Sequence, residues 1–388
     1  MILKKGRYRY NGFYENWKSV KLGNFVDVNP KSFLPRKFKY VDLESVVGTK
    51  LISFREEIRE SAPSRAQRVA QKGDVFFQTV RPYQKNNYLF DLNEDNYVFS
   101  TGYAQLRPKV DSAFLLARLQ EEGFVNKVIE RCTGTSYPAI NSKDLSRISI
   151  TIPEHFEEQT AIGTLFRTLD DLLTSYKDNL ANYQSLKTTM LSKMFPKAGQ
   201  RVPEIRLDGF EEDWENKILS EVTNITMGQS PKSENYTDNP NDYILVQGNA
   251  DIKDKQVVPR LWTTEVTKMA EIGDIILTVR APVGDIGKTD YNVVIGRGVA
   301  AIKGNDFIFY TLEKMKKTGF WNRFSTGSTF ESISSNNIKE AIIQIPTLKE
   351  QQAIGAYFSN LDKLISSYQE KISQLETLKK KLLQDMFI

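Results

Sequence analysis

The chain has 388 residues, more than one ordinary core accommodates and suited to two domains with connections. Its 40% hydrophobic and 26% charged residues are ordinary globular values, and no uncharged apolar run is long enough for a membrane helix. One cysteine, Cys132, excludes an internal disulfide and fits a reducing cytoplasm, and one histidine, His155, excludes a zinc site built on several histidines.

Charge is uneven. The net value is +9 over residues 1–150, −1 over 151–200, −4 over 201–345 and +1 over 346–388. The first segment can attract a polyanion on bulk charge, whereas the third must sort its basic residues onto one face. The N-terminal Met1-Ile2-Leu3-Lys4-Lys5-Gly6-Arg7 lacks the apolar centre of a signal peptide.

In chain order, the opening Gly12-Phe13-Tyr14-Glu15-Asn16-Trp17 leads into a short basic–apolar strand. Asn29-Pro30-Lys31-Ser32 reads as a turn. Gly73-Asp74 opens a β-rich run from Val75 to Val80, and a polar cluster of Gln78, Arg81, Tyr83, Lys85 and Asn86 lies at its end. Residues 113–121 read as a short helix, followed by Thr133-Gly134-Thr135-Ser136 and then Ile148-Ser149-Ile150-Thr151-Ile152-Pro153. His155 falls at the entrance of a long helical pattern, where a solvent-facing role is expected.

That pattern carries an apolar heptad at Ile162, Leu169, Tyr176, Tyr183 and Met190. The spacing suggests a second seam at Leu165, Leu172, Asn179 and Leu186. About 38 residues at 1.5 Å each make a rod of roughly 57 Å, and Pro196 closes it.

The layout then repeats. Gly209-Phe210-Glu211-Glu212-Asp213-Trp214 mirrors the opening, Lys232-Ser233 mirrors Lys31-Ser32, and Gly273-Asp274 opens a strand ending at Arg280-Ala281-Pro282. The same position after the Gly-Asp strand is read as arginine in both copies, which singles out Arg81 and Arg280, with Lys288 further along. Arginine, lysine, asparagine and glutamine are the side chains that read base edges, and aromatics pack beside them. Thr326-Gly327-Ser328-Thr329 and Ala341-Ile342-Ile343-Gln344-Ile345-Pro346 complete the second globular part. From Glu158-Gln159 the helical segments match without a gap at an offset of 192 residues. The second seam set is therefore Ile354, Leu361, Tyr368, Leu375 and Leu382, with Tyr357, Leu364, Lys371 and Leu378 beside it. Asn179 and Lys371 are equivalent polar breaks that can act as register pins. The expected divisions are a globular part over 1–153, a helix over 154–200, a second globular part over 201–346 and a second helix over 347–388. Each globular part is expected to be mixed α+β.

Catalytic signatures are wanting. Gly284-Asp285-Ile286-Gly287-Lys288-Thr289 imitates the end of a phosphate-binding loop, but Pro282 stands where its first glycine belongs. Asn29-Pro30-Lys31-Ser32 and Asn239-Pro240-Asn241-Asp242 lack the second proline of the base-holding loop of amino-methyltransferases. No carboxylate cluster suits a metal-dependent nuclease. The expectation is a chain with no catalytic residue and no metal site.

The doubled layout resembles the specificity (S) subunit of type I restriction–modification systems. The resemblance rests on the Gly-Phe-x-x-x-Trp openings, the Gly-Asp strands, the Gly-Thr-Ser and Gly-Ser-Thr turns, the Ile-x-Ile-Pro exits and the Glu-Gln-x-Ala-Ile-Gly helix starts with their Leu-Asp. Val202-Pro203-Glu204-Ile205-Arg206 also fits the family's second-domain opening, whereas Lys4-Lys5-Gly6-Arg7-Tyr8-Arg9 departs from it. The resemblance implies two α+β target recognition domains, each reading half of a split double-stranded DNA sequence. It implies two antiparallel helices forming a coiled coil with pseudo-two-fold repetition. It further implies two methyltransferase (M) subunits holding S-adenosylmethionine, and restriction (R) subunits using ATP and Mg, with no cofactor in this chain and no membrane. The alternatives are a coiled-coil scaffold that binds protein only and an orphan specificity chain used for recognition-domain exchange.

Overall fold

The computed structural model describes residues 2–4, 7–9, 12–13, 15–324 and 332–387. The Thr326–Thr329 turn and the Lys5-Gly6 and Tyr14 positions lie outside the described residues. The chain divides into two compact units, of which the first is discontinuous in sequence. Unit 1 comprises Met1–Asn179 with Tyr368–Ile388, and unit 2 comprises Leu180–Ser367. Each unit thus joins one globular domain to a portion of each long helix, Phe156–Lys193 and Leu348–Phe387.

In unit 1 one sheet has the strand order Tyr88–Leu89, Val75–Gln78, Tyr103–Pro108, Val26–Val28. A second has the order Arg55–Ile58, Lys37–Val41, Tyr97–Ser100, Ala66–Val69, with a parallel pair at its centre. Val75–Gln78 is buried on both faces, which explains its unbroken apolar character. Phe76 stacks on Phe99 at 3.6 Å toward the second sheet, and Phe77 meets Phe124 of the short helix Glu122–Ile129 on the other side.

Unit 2 follows the same plan with a six-stranded and a five-stranded sheet. Ile275–Thr278 pairs with Val299–Ile302 as Val75–Gln78 pairs with Tyr103–Pro108. In both units the entry strand is clamped antiparallel to the exit strand: Lys18–Lys21 on Ser149–Ile152, and Glu215–Ile218 on Ile342–Ile345. The repeated opening and the Ile-x-Ile-Pro exit are therefore two halves of one closure.

The Gly-Asp motif is a turn device. Gly73 and Gly273 take positive φ, and the Asp74 and Asp274 carboxylates each accept the amide three residues back, from Gln71 and Glu271 at 2.8 Å. In unit 1 the buried Asp74 also receives two hydrogen bonds from Arg107, which hold the guanidinium above its ordinary pKa.

The helix starts have a packing reason. Gln159 accepts from the Asp111 amide and donates to Pro153 O; Gln351 accepts from Asn305 Nδ2 and donates to Pro346 O. A β-carbon on Gly163 would stand 2.7 Å from the Phe114 amide nitrogen, and one on Gly355 would stand 2.7 Å from Asp306 Cβ. The Gln-x-x-x-Gly phrase therefore lets each long helix receive the N-terminus of a short domain helix. Arg206 forms a bidentate pair with Glu350, at 2.9 and 2.8 Å, which gives the Pro-Glu-Ile-Arg phrase its role in unit 2. In unit 1 the equivalent Glu158 accepts from Trp17 Nε1.

The helices run antiparallel within each unit. In unit 1 Phe166 stacks on Phe387, and Tyr176 meets Tyr368 at 5.4 Å; in unit 2 Phe195 stacks on Phe358. The first seam holds: Ile162, Leu169, Ile354 and Leu361 are buried, and Tyr176, Tyr368 and Leu375 are half-buried. The expected second seam is one residue out. Leu172, Leu186, Leu364 and Leu378 are 38–45% exposed, and Leu165 is half-buried at the edge. The positions facing inward are Phe166, Leu173, Leu180 and Lys187, and their equivalents Phe358, Ile365, Ile372 and Lys379. Asn179 and Lys371 are correspondingly not the polar breaks; Lys187 and Lys379 are.

Candidate nucleic-acid interface

The loop after Val75–Gln78 is built from backbone upward. Gln78 and Asn87 are buried, and the Gln78 amide donates to Asn87 Oδ1 at 2.8 Å. Gln78 Nε2 donates to Gln84 Oε1, and its Oε1 accepts from the Asn86 amide. Asn86 Oδ1 accepts from Gly48 N, and Lys85 pairs with Glu122 at 2.7 Å. Gln78, Lys85 and Asn86 therefore shape the loop and are committed inside the protein.

Arg81 and Tyr83 differ. Arg81 and Lys85 take left-handed conformations, φ 53 and 56, on either side of the turn Pro82–Gln84. This projects Tyr83 outward and sets the Arg81 guanidinium over the exposed Tyr137 ring at 4.3 Å. Arg81 forms no ion pair among the described residues.

Neighbouring loops converge there. Arg81 N donates to Pro138 O, Ile140 N to Thr79 O, and Thr79 N to Gly102 O. Asn29, at φ 51, accepts from Gln105 N and donates to Ser142 Oγ. The Asn29 turn, the Arg81 loop, the Thr101-Gly102 corner and the Thr133–Tyr137 turn thus share one end of the sheets.

Unit 2 assembles the same end. Val279 N donates to Gly298 O and Ile333 N to Val279 O, as Thr79 and Ile140 do in unit 1. Arg280 bridges Ser332 where Val80 bridges Ala139. The ladder therefore makes Arg280 the counterpart of Val80, and Arg81 the counterpart of Ala281. The two arginines share a loop but not a position. Lys288 is tied to Asp306 and lies over Phe309, so it is structural.

Sequence reasoning missed Arg297. It is exposed between Gly296 and Gly298, and its amide donates to Ser230 Oγ. A β-carbon on Gly298 would overlap the Gln247 carbonyl oxygen, so the glycines let the strands close tightly and leave the arginine at the corner. The Gly-Arg-Gly phrase was the available signal. Tyr137 was missed because its role depends on Arg81.

Among the described residues no three His, Cys, Asp or Glu side chains gather as a metal site, and no helix is long and apolar enough to cross a membrane. His155 is exposed and contacts Glu15 at 2.5 Å; burial pushes the Cys132 thiol up.

Each unit is thus a mixed α+β domain that offers arginines on convergent loops, the surface chemistry of a module that contacts nucleic acid. The chain belongs to the type I restriction modification DNA specificity domain family, whose model matches twice, over residues 14–182 and 211–377. It is a type I specificity subunit with two target recognition domains, a non-catalytic class. It is 28% identical to the type I restriction enzyme MjaX specificity subunit of Methanocaldococcus jannaschii, over 95% of this chain and 92% of that protein. The MjaVIII specificity subunit of the same organism is 22% identical over 95% and 91%. Among solved structures, a chain from a study of type I R-M complex assembly and conformational transition is 28% identical, with a TM-score of 0.54 over 96% of this chain and 97% of that one. The S subunit of M. genitalium shares the fold at a TM-score of 0.66 and 16% identity, over 99% and 98%.

Proposed function

We propose that each loop cluster reads one half of a bipartite double-stranded DNA target. The observation that carries this reading is the recurrence, in both units, of arginines without an ion partner among the described residues at the same end of the sheets. Arg81, Arg280 and Arg297 are the base-edge readers, since a guanidinium can donate two parallel hydrogen bonds to guanine. Tyr83 and Tyr137 pack beside them. Gln78, Lys85, Asn86 and Lys288 act only by shaping the loops.

The chemistry belongs to partners. Leu172 and Leu378 in unit 1, and Leu186 and Leu364 in unit 2, are leucines left outside the helix seam. Their repetition supports one methyltransferase subunit docking on each unit, two in all. Those subunits hold S-adenosylmethionine, and restriction subunits using ATP and Mg complete the enzyme.

The test uses the complex with methyltransferase subunits. Arg81→Ala, Arg280→Ala and Arg297→Ala should each weaken binding by about 1–3 kcal/mol and relax selectivity at one base pair. Equal loss on all sequences would assign the arginine to phosphate instead.

A further inference from the structure

Phe33 is the most exposed large apolar side chain among the described residues, at 98%. It sits on a loop fixed at both feet. Upstream, Asn29 N donates to Gln105 O, while its side chain bonds Gln105 N and Ser142 Oγ. Downstream, Leu34 packs on the cluster of Phe38, Tyr40 and Val98, and Arg36 O accepts from Arg59 N at 2.9 Å. The aromatic ring is thus held out in water by anchored backbone.

The surroundings are basic. Residues 28–41 contain Lys31, Arg36, Lys37 and Lys39 and no acidic residue. Lys31 and Lys37 are exposed and form no ion pair among the described residues, Arg36 reaches Glu60 at 3.9 Å, and Lys39 is held by Glu94. The Asn29–Ser142 contact places this loop beside the 138–142 segment, whose Pro138 carbonyl accepts from the Arg81 amide. The counterpart in unit 2, Lys232-Ser233-Glu234, has an acid where Phe33 stands.

We propose that Phe33 is a wedge that stacks against a base step at or beside the half-site read by unit 1. This rests on the DNA-reading assignment above. Lysines flanking an aromatic tip bring it against phosphates, and apolar wedges partly unstack the step they enter. Unit 2 has Glu234 at the matching place in the sequence, so the distortion falls on the half of the target read by unit 1.

The experiment uses the full chain with its methyltransferase subunits and a duplex carrying the target found by methylome sequencing. 2-Aminopurine is placed in turn at each position of the unit 1 half-site and its flanks. Fluorescence should rise several-fold at one step in the wild type, fall to the free-duplex level with Phe33→Ala and persist with Phe33→Trp. Phe33→Ala should also weaken binding roughly tenfold, within the range of base–aromatic stacking, with the half-site sequence retained. A complex that binds and methylates its target with no Phe33-dependent signal overturns the wedge alone. A complex that fails to bind the duplex overturns the DNA-reading assignment with it.

Discussion

In unit 1 Lys379 pairs with Asp170, and among the described residues the globular domain adds Thr49 alone, whose hydroxyl donates to Asp170 Oδ2 at 3.4 Å. In unit 2 the equivalent Lys187 and Asp362 pair at 2.6 Å, and the domain adds Lys255, Glu313 and Tyr310. Lys187 is only 5% exposed and Lys379 is 20% exposed. Burial lowers the Lys187 ammonium despite Glu313, and it raises the Tyr310 phenol, which donates to Asp362. The same helix pair is therefore fastened to its domains by different chemistry. A lysine–aspartate pair inside an apolar seam fixes register in both units, but only in unit 2 does it also anchor the domain.

The largest expected effect follows from that contrast. Asp362→Ala leaves Lys187 and Lys255 facing each other over Glu313 alone and should cost about 3 kcal/mol. Asp170→Ala, at a wetter pair, should cost about 1 kcal/mol. Denaturant unfolding with hydrogen exchange resolved by unit checks both. Equal losses would show that the domain-side partners add nothing.

A smaller effect sharpens the comparison through pH. Burial pushes the Asp362 carboxyl up, but Lys255 and Lys187 outweigh it and leave it below the ordinary carboxylate range. A depressed folded pKa contributes stability that is present above the unfolded value, about 4, and is lost as pH falls through the folded one. The Tm advantage of the wild type over Asp362→Asn should therefore be full at pH 6 and shrink below about pH 4. An advantage that is constant from pH 6 to pH 3 would contradict the ion-pair account.

The repeat, the α+β character and the first seam were legible because they depend on local pattern. The second seam was not. Leu165-Phe166 and Leu172-Leu173 offer apolar residues at both candidate spacings, and Leu186 precedes Lys187. A lysine at the true position made the wrong line look more continuous. Only the distant Asp362 and Glu313 explain how it can be buried. The loop-shaping bonds of three polar side chains were hidden for the same reason. Gln78, Lys85 and Asn86 look free along the chain, but their partners Gln84, Glu122 and Gly48 include residues up to 38 positions away. Arg81 and Arg280 stand eight and seven residues after their Gly-Asp glycines, and the strand register keeps that difference.

The central claim is that the two units read DNA independently. It is tested most directly by replacing residues 210–323 with the matching stretch of another recognition domain and sequencing the methylated adenines of the host. The account predicts a target in which one half-site is retained and the other replaced. Two new half-sites, or an unchanged target, would contradict it.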